Sequence, residues 1–469
     1  MSLLSKSRFV AGWQCHKLLW WKVHEPDADE LKPDKVLQDL FDQGRQVGEL
    51  ARELFAGGVL IDLPHYAFEE RVAATRAALD AGAPAIFEAS FAAAGAYVSV
   101  DVLERTDNGF TLIEAKSSTS VKPEHIPDAA LQAFVLRSAG LAVQSVEIIL
   151  LNKEYRHPGR GELLLRTDVT ERVNAFLPQV PGLIEEQLAA LDGPLPTREI
   201  GLHCFEPREC PFHARCWPDD PLHISELYNN GPKRTAGYLQ AGIHRIPDIP
   251  AGTSLPDAAR RQIRSLESGR LIVEPGLAKA LEPFESPVGF LDFETVSRAV
   301  PVWADLAPWQ AAIAQFSYHE EQPDGKHSHV GWLAEGPHDP RRELAEVMIA
   351  ATKGAGRIVT YSAYEKTRIK ELQALVPGLH DQLEELLGKL VDLLPVVRNH
   401  VYHPGFRGSF SLKYILTPLV PELTYNDLVI VDGRLASVEI ARLLFVAHRI
   451  PPPERDQLRK DLLAYCERD

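Results

Sequence analysis

Three groups of residues in this sequence have types and spacings that could do chemistry. In Gly-Phe-Thr-Leu-Ile-Glu-Ala-Lys at 109–116, a strand's period of two puts Glu114 and Lys116 on one face and Ile113 and Ala115 on the other. The preceding apolar segment, Tyr97 to Leu103, carries one carboxylate, Asp101. Burying it is unfavourable unless a cation compensates. Asp101 and Glu114 could hold a hard divalent ion through oxygen, and Lys116 could orient an attacking water or stabilise charge at phosphorus. The chemistry is metal-assisted phosphodiester hydrolysis.

The second group is Cys204, Cys210 and Cys216, spaced C-x5-C-x5-C and bracketed by Pro207, Pro211 and Pro218. Thiolates in one stiffened loop suit a soft metal, although zinc ribbons use tighter pairs. His203 and His213 are alternative ligands or surface histidines. Cys15 lies far away in Gly-Trp-Gln-Cys-His-Lys, and Cys466 reads as a buried free thiol.

The third group is Asp292 and Glu294 in Gly-Phe-Leu-Asp-Phe-Glu-Thr, where an apolar strand runs into two carboxylates on one face. Like charges so placed repel unless a cation bridges them. At the chain end, Tyr465 and Asp469 stand four apart and share one face of a helix. Between them, Ile358 to Glu365 has a strand-then-helix form that ends on the carboxylate of Glu365, with Asp392 as a rival or additional carboxylate.

The elements that must position these groups follow from periodicity. A long amphipathic helix is predicted over 34–56, with Val36, Leu37, Leu40, Phe41, Val47, Leu50, Leu54 and Phe55 as its apolar stripe. A second helix covers about 67–81. Short apolar segments then alternate with turns at 84–91, 96–104, 109–116 and 145–151, the last three predicting strands, with a helix over 127–140 between Pro127 and Gly140. Further on come a helical stretch at 168–191 and a polar, helical connector punctuated by Pro and Gly. A new α/β region opens near Pro287, with strands at 312–319, 329–333 and 357–361 and helices thereafter. The resulting division is 1–220, 221–285 and 286–469.

The chain has 469 residues, 45% hydrophobic and 25% charged, which excludes collagen-like, disordered and multi-span membrane classes. A net charge of −15 argues against nonspecific coating of nucleic acid but says little about a local groove. Five cysteines without an export signal favour metal ligation or burial over a disulfide framework. No apolar run long enough to span a bilayer is present, so a cytoplasmic protein with no membrane partner is expected.

Asp101, Glu114 and Lys116 together resemble the PD-(D/E)XK nuclease superfamily in its RecB-like form, over about 1–220. The resemblance implies a core metal site at Asp101 and Glu114 and a role for Gln132 on the next helix. Where many relatives carry a histidine on the first long helix, this chain has Glu49; Glu88 and Tyr155 are secondary candidates, equally readable as structural. In RecB-like nucleases with an iron-sulfur cluster, one N-terminal and three C-terminal cysteines flank the core. Cys15, Cys204, Cys210 and Cys216 share that layout, and the resemblance implies a 4Fe-4S cluster stapling the two ends of the domain.

Asp292-x-Glu294 and Tyr465-x-x-x-Asp469 resemble the first and third motifs of DnaQ-like exonucleases, whose ribonuclease-H-like fold holds two metal ions with four carboxylates. Glu365 stands where that family's second motif carries Asp. The C-terminal region also resembles an uncharacterised domain that commonly follows RecB-like nucleases in bacteria. Its segment Gly408-Ser409-Phe410-Ser411-Leu412-Lys413 reads either as a contact to the strand or as a loop and helix cap. Because the chain stops at Asp469, with no further turns to hold the helix, a truncated sequence is suggested.

The expectation is an α/β protein with a PD-(D/E)XK nuclease, a helical connector and a ribonuclease-H-like exonuclease, using Mg2+ or Mn2+ on DNA ends or single strands, with RNA left open. The alternatives are a nucleic-acid-binding or scaffold protein with inactive nuclease domains, and a four-cysteine zinc protein with an ordinary hydrolase domain.

Overall fold

The computed structural model describes residues 3–285, 287–322 and 324–468. The chain is mixed α/β and divides into two compact units. Unit 1 runs to Trp217 and includes Ala299–Val302 and Leu306–Trp309; unit 2 takes Pro218–Arg298, Trp303–Asp305 and the chain from Gln310 onward. The stretch 221–285, read from sequence as a connector, falls in unit 2. Among the described residues no helix is long and apolar enough to cross a membrane.

Unit 1 begins with a two-residue strand β1 (Leu4–Ser5), then helices α1 (Lys6–Gln14), α2 (His16–His24) and α3 (Lys35–Arg52). Strand β2 (Val59–Leu60) and helix α4 (Phe68–Asp80) precede β3 (Ala85–Ala93), β4 (Ala96–Thr106) and β5 (Gly109–Ala115). Helix α5 (His125–Ser138), strands β6 (Val143–Leu151) and β7 (Leu164–Asp168), and helices α6 (Thr170–Phe176), α7 (Val180–Asp192) and α8 (His213–Cys216) complete the unit. The sheet order is β2-β3-β4-β5-β6-β7. Strand β5 pairs with β4 only over Val102 to Thr106, which leaves the Ala96 end of β4 free for β1.

Helix α5 is apolar on nearly every side and packs Ala129, Leu131, Val135 and Leu136 into the main core with Leu112, Val146 and Ile148. The sidedness of the β3–β4 pair switches midway. Ala89 and Val100 belong to this core, and so do Ile86 and Leu103, whereas Phe87 and Val102 join the cluster on the other face. The switch occurs at Glu88, whose φ of 58° is a left-handed conformation, and directly across the pair at Asp101. An irregularity of this kind re-aims side chains.

Three expectations change. The apolar run at 84–91 is also a strand, β3. The stretch 168–191 is broken into α6 and α7 by a 3-10 turn at Leu177–Gln179, because Pro178 lacks the donor a continuous helix needs. Helix α3 is capped by Asp34, whose side chain accepts from Leu37 N at 2.7 Å, and it ends at Arg52. Its predicted stripe is only partly interior: Val47 is buried, while Leu37, Leu40, Phe41 and Leu54 are exposed. Leu37 and Phe41 line an open cleft instead.

Unit 2 begins with α9 (Gly231–Gln240), α10 (Asp257–Ser268), β8 (Ile272–Val273) and α11 (Leu277–Leu281). Strands β9 (Val288–Val296), β10 (Ala312–Glu321) and β11 (His327–Leu333) form an antiparallel meander. After α12 (Arg341–Ala351), strand β12 (Arg357–Thr360) runs parallel to β9; after α13 (Tyr364–Leu375) and α14 (His380–Lys389), β13 (Leu390–Asp392) runs parallel to β12. The order is β11-β10-β9-β12-β13, so β9 is central. Then come α15 (Leu394–His400), β14 (Val401–Tyr402), α16 (Leu412–Leu419), α17 (Gly433–Phe445) and α18 (Pro452–Arg468), with β14 pairing antiparallel to β8. Leu291 and Phe293 of β9 face a core built from Leu344, Met348, Ile369 and Leu383 of helices α12 to α14.

Candidate active sites and cysteine centre

In unit 1, Glu114 is buried near the end of β5 on the side of α5, as the period of two requires. Its Oε1 accepts from Lys116 Nζ at 2.9 Å and from Lys6 Nζ at 2.9 Å, and its Oε2 accepts from Gln132 Nε2 at 3.0 Å. Lys116 also donates to Asp128 Oδ2 at 2.9 Å. Asp101 Oδ2 accepts from the Ala115 backbone N–H at 2.8 Å, and its Oδ1 lies 3.9 Å from Lys6 Nζ. The structure thus brings Asp101, Glu114, Lys116 and Gln132 together. Glu114, Lys116 and Asp128 line a cleft of about 540 Å3.

The electrostatics separate the two carboxylates. Burial opposes ionisation of Glu114, but the ammonium groups of Lys116 and Lys6 outweigh it and hold the carboxyl down at about 2. Burial and the neighbouring Glu114 push Asp101 up to about 7, against the pull of Lys6 and Lys116. Lys116 is buried too, yet Asp128 and Glu114 raise it well above the usual lysine value. It is therefore a fixed cation and a donor, not a base. Burial and Lys116 bring His125, at the cleft edge, down to about 4, so it is neutral.

Lys6 and Asp128 escaped the sequence reading. Asp128 carried a usable signal, since it lies one helical turn before Gln132 and so shares its face. Lys6 carried none, being the first residue of a helix far away in sequence. Of the secondary candidates, Glu88 is tied to Arg52 at 3.1 Å and to Ser99 Oγ at 3.1 Å. The hydroxyl of Tyr155 accepts from Gly159 N at 3.1 Å, and Glu49 is exposed on α3.

The four cysteines outside unit 2 line one cavity of about 20 Å3, room for a single water. Cys15 sits at the junction of α1 and α2, Cys204 in a 3-10 turn, and Cys216 at the end of α8. Gln14 clamps the cysteine loop to α1 by donating to the carbonyls of His203 and Arg208, both at 2.8 Å. Burial pushes the Cys210 thiol up to about 11, and the facing sulfurs of Cys15, Cys204 and Cys216 add to this. Of the alternative ligands, His203 Nε2 lies 3.6 Å from Cys204 Sγ, while the His213 ring stacks on Trp217 at 4.9 Å.

In unit 2, Asp292 and Glu294 point away from the α12–α14 core and share the opposite face of β9. A Cβ on Gly433, the first residue of α17, would lie 3.4 Å from Glu294 Oε2, so this carboxylate faces the positive end of a helix. Asp292 Oδ2 is 3.6 Å from Cys466 Sγ on α18. Gln315, opposite Glu294 in the sheet, donates to Leu462 O at 2.7 Å and ties α18 to the same strands. Tyr465 is buried on α18, and Asp469 lies outside the described residues.

Glu365, in the first turn of α13, is buried, and its Oε2 has no hydrogen-bond partner. Burial pushes it up to about 7, and the charge of Asp392 adds to the effect. A second cavity, about 510 Å3, is lined by Asp292 together with Arg398, Lys413, Tyr228, Tyr361 and Phe410. The segment Phe410 to Lys413 therefore stands beside the carboxylate strand. Arg398 and Tyr228 were not visible in sequence as members of a site.

The donor sets differ in kind. Asp101 and Glu114 fit a small hard cation, which needs only one or two carboxylates and keeps its waters. The four cysteines that line one cavity are soft donors, of the kind that ligate a thiolate-bound group. Among the described residues, no three His, Cys, Asp or Glu side chains form a ready-made cage for a metal ion.

Residues 289–411 match a family described as Domain of unknown function (DUF2779), a span that holds Asp292, Glu294, Glu365, Asp392 and Arg398. No curated protein matches the chain.

Proposed function

We propose that this chain is a metal-dependent nuclease that hydrolyses phosphodiester bonds, with its principal site at Asp101, Glu114, Lys116 and Gln132 in unit 1. The observation that carries this reading is the buried Glu114 carboxylate, held between two ammonium groups and an amide at the wall of a cleft of about 540 Å3. A hard divalent ion bound by Asp101 and Glu114 would supply Lewis-acid stabilisation and an activated water. The protein's own groups supply the rest. Protonated Lys116 presents a fixed positive charge to the phosphate, Asp128 and Glu114 hold its ammonium in place, and Gln132 fixes the Glu114 plane. Exposed Leu37 and Phe41 on the cleft wall offer apolar surface for bases of a single strand.

The resemblance of unit 1 to RecB-like PD-(D/E)XK nucleases is supported by the order of these residues on antiparallel β4 and β5 and on α5. An iron-sulfur cluster at Cys15, Cys204, Cys210 and Cys216 is part of the proposal. Those four cysteines line one cavity, and their thiolates would be the ligands of such a cluster. For unit 2 we propose a DnaQ-like, ribonuclease-H-like exonuclease domain. Its support is the carboxylate pair on the central strand of a mixed sheet, beside a cavity that also holds Arg398 and Lys413. DNA ends or single strands are the proposed substrate.

The test is cleavage of end-labelled single- and double-stranded DNA and RNA with Mg2+ or Mn2+, using Asp292→Asn as the background. Glu114→Gln and Asp101→Asn should each abolish the remaining cleavage while leaving the fold intact. Activity equal to the parent in both variants would place the chemistry elsewhere.

A further inference from the structure

Lys6 is the unexplained member of the unit 1 site. It is the first residue of α1, its ammonium is held 2.9 Å from Glu114 Oε1 and 3.9 Å from Asp101 Oδ1, and only about a quarter of its side chain is exposed. It sits between the two carboxylates that would hold metal. A long, flexible side chain loses entropy when fixed in this way, so its place needs a reason.

Two counts define that reason. A carboxylate offers about four acceptor positions. In Glu114, Oε1 serves Lys6 and Lys116 and Oε2 serves Gln132, which leaves one position for an ion. Asp101 spends Oδ2 on the Ala115 N–H and keeps Oδ1 facing the same space. The charges give the same answer. Asp101, Glu114 and Asp128 together exceed Lys6 and Lys116 by one negative charge when all are ionised. One divalent ion and one phosphodiester bring that set to neutrality. A second divalent ion would leave two positive charges in a partly buried place, which is unfavourable.

We propose that unit 1 is a one-ion site in which the Lys6 ammonium, delivered by α1, permanently fills the role that a second metal ion plays in two-metal phosphodiester hydrolysis. Lys6 is thus a positioning residue. It neutralises the Asp101–Glu114 pair and fixes where the single ion and the scissile phosphate sit. Its placement depends on the other end of α1. There Gln14 grips the carbonyls of His203 and Arg208, and Cys15 enters the cysteine cavity. The nine-residue helix from Lys6 to Gln14 therefore ties the cysteine loop to the carboxylates.

This inference rests on the nuclease reading of unit 1, and the test separates the two. Mn2+ is titrated into the full chain carrying Asp292→Asn, Glu294→Gln and Glu365→Gln, so that neither carboxylate pair of unit 2 is intact, and bound ion is counted by electron paramagnetic resonance. The parent should bind one Mn2+ that Glu114→Gln removes. Lys6→Met should take up a second ion or bind the first about tenfold more tightly, because an opposing charge is gone, while cleavage falls. Lys6→Arg should restore the count of one. Two ions in the parent would overturn the inference, and so would Lys6→Met that matches the parent in both number and affinity. If Lys6→Met does not fold, the parent's count together with Lys6→Arg decides. Should Glu114→Gln leave Mn2+ binding unchanged, the nuclease reading itself fails and this inference falls with it.

Discussion

Gln132 Nε2 donates to Glu114 Oε2 at 3.0 Å in a fully buried position, one helical turn beyond Asp128, to which the same nitrogen lies at 3.4 Å. A single amide thus fixes the plane of the carboxylate that also receives both lysines. Gln132→Ala should leave a buried carboxylate oxygen short of a donor, destabilising unit 1 by about 1–3 kcal/mol. It should also slow cleavage more than it weakens Mn2+ binding, since the ion retains Asp101 and Glu114. Thermal melts and single-turnover cleavage check this. A variant as stable and as fast as the parent would mean the hydrogen bond does not matter.

Cys15 and residues of α2 line one cavity with the cysteine loop, and an iron-sulfur cluster held there would be visible in colour. Anaerobically purified protein should be brown, with broad visible absorption. Cys210→Ser should bleach it and lower the melting temperature of unit 1, because ligation stabilises only the folded arrangement. Colourless protein with one stoichiometric zinc would replace this assignment with a zinc site.

Arg398 and Lys413 line the cavity beside Asp292, and aromatic rings of Tyr228 and Phe410 lie in the same wall. Positive charge with aromatic surface suits a strand's phosphate and base. Arg398→Ala should weaken binding of a short single-stranded DNA by about tenfold at low salt and reduce the slope of log affinity against log salt by roughly one. An unchanged salt slope would remove Arg398 from the interface.

How much of this was legible in sequence depends on whether the signal was local. Glu114 and Lys116 on one face, and Asp292 and Glu294 on one face, follow from the period of a strand, and both strands keep that period. Asp101 was legible as a lone carboxylate in an apolar strand, but the change of side in β3 and β4 at Glu88, a left-handed residue, is marked by no local pattern. The apolar stripe of α3 was visible, but its destination was not: periodicity cannot distinguish a core from a cleft wall. Strand β13, three residues long, was too short for any period to show. Lys6 and Arg398 reach their sites only through tertiary folding.

Glu365 supplies a test of unit 2 that requires no substrate. It is buried at the start of α13, and burial together with Asp392 pushes it up to about 7. A carboxyl whose value is raised in the folded state binds more protons folded than unfolded. Its contribution therefore favours folding at low pH and is lost as the pH rises from its unfolded value towards its folded one. In metal-free protein, the stability of unit 2 should fall as the pH rises from about 4.5 to about 7, with on the order of 3 kcal/mol traceable to this group. Glu365→Gln keeps the shape of the protonated acid and cannot ionise, so it should remove that part of the pH dependence and be the more stable protein at the upper end. The measurement is the melting temperature of both proteins in chelator across this range. If Glu365 and Asp392 share a divalent ion, added Mg2+ should restore the parent at high pH and leave Glu365→Gln unaffected. Parent and variant with parallel pH profiles would show that Glu365 is not the buried acid the geometry makes it.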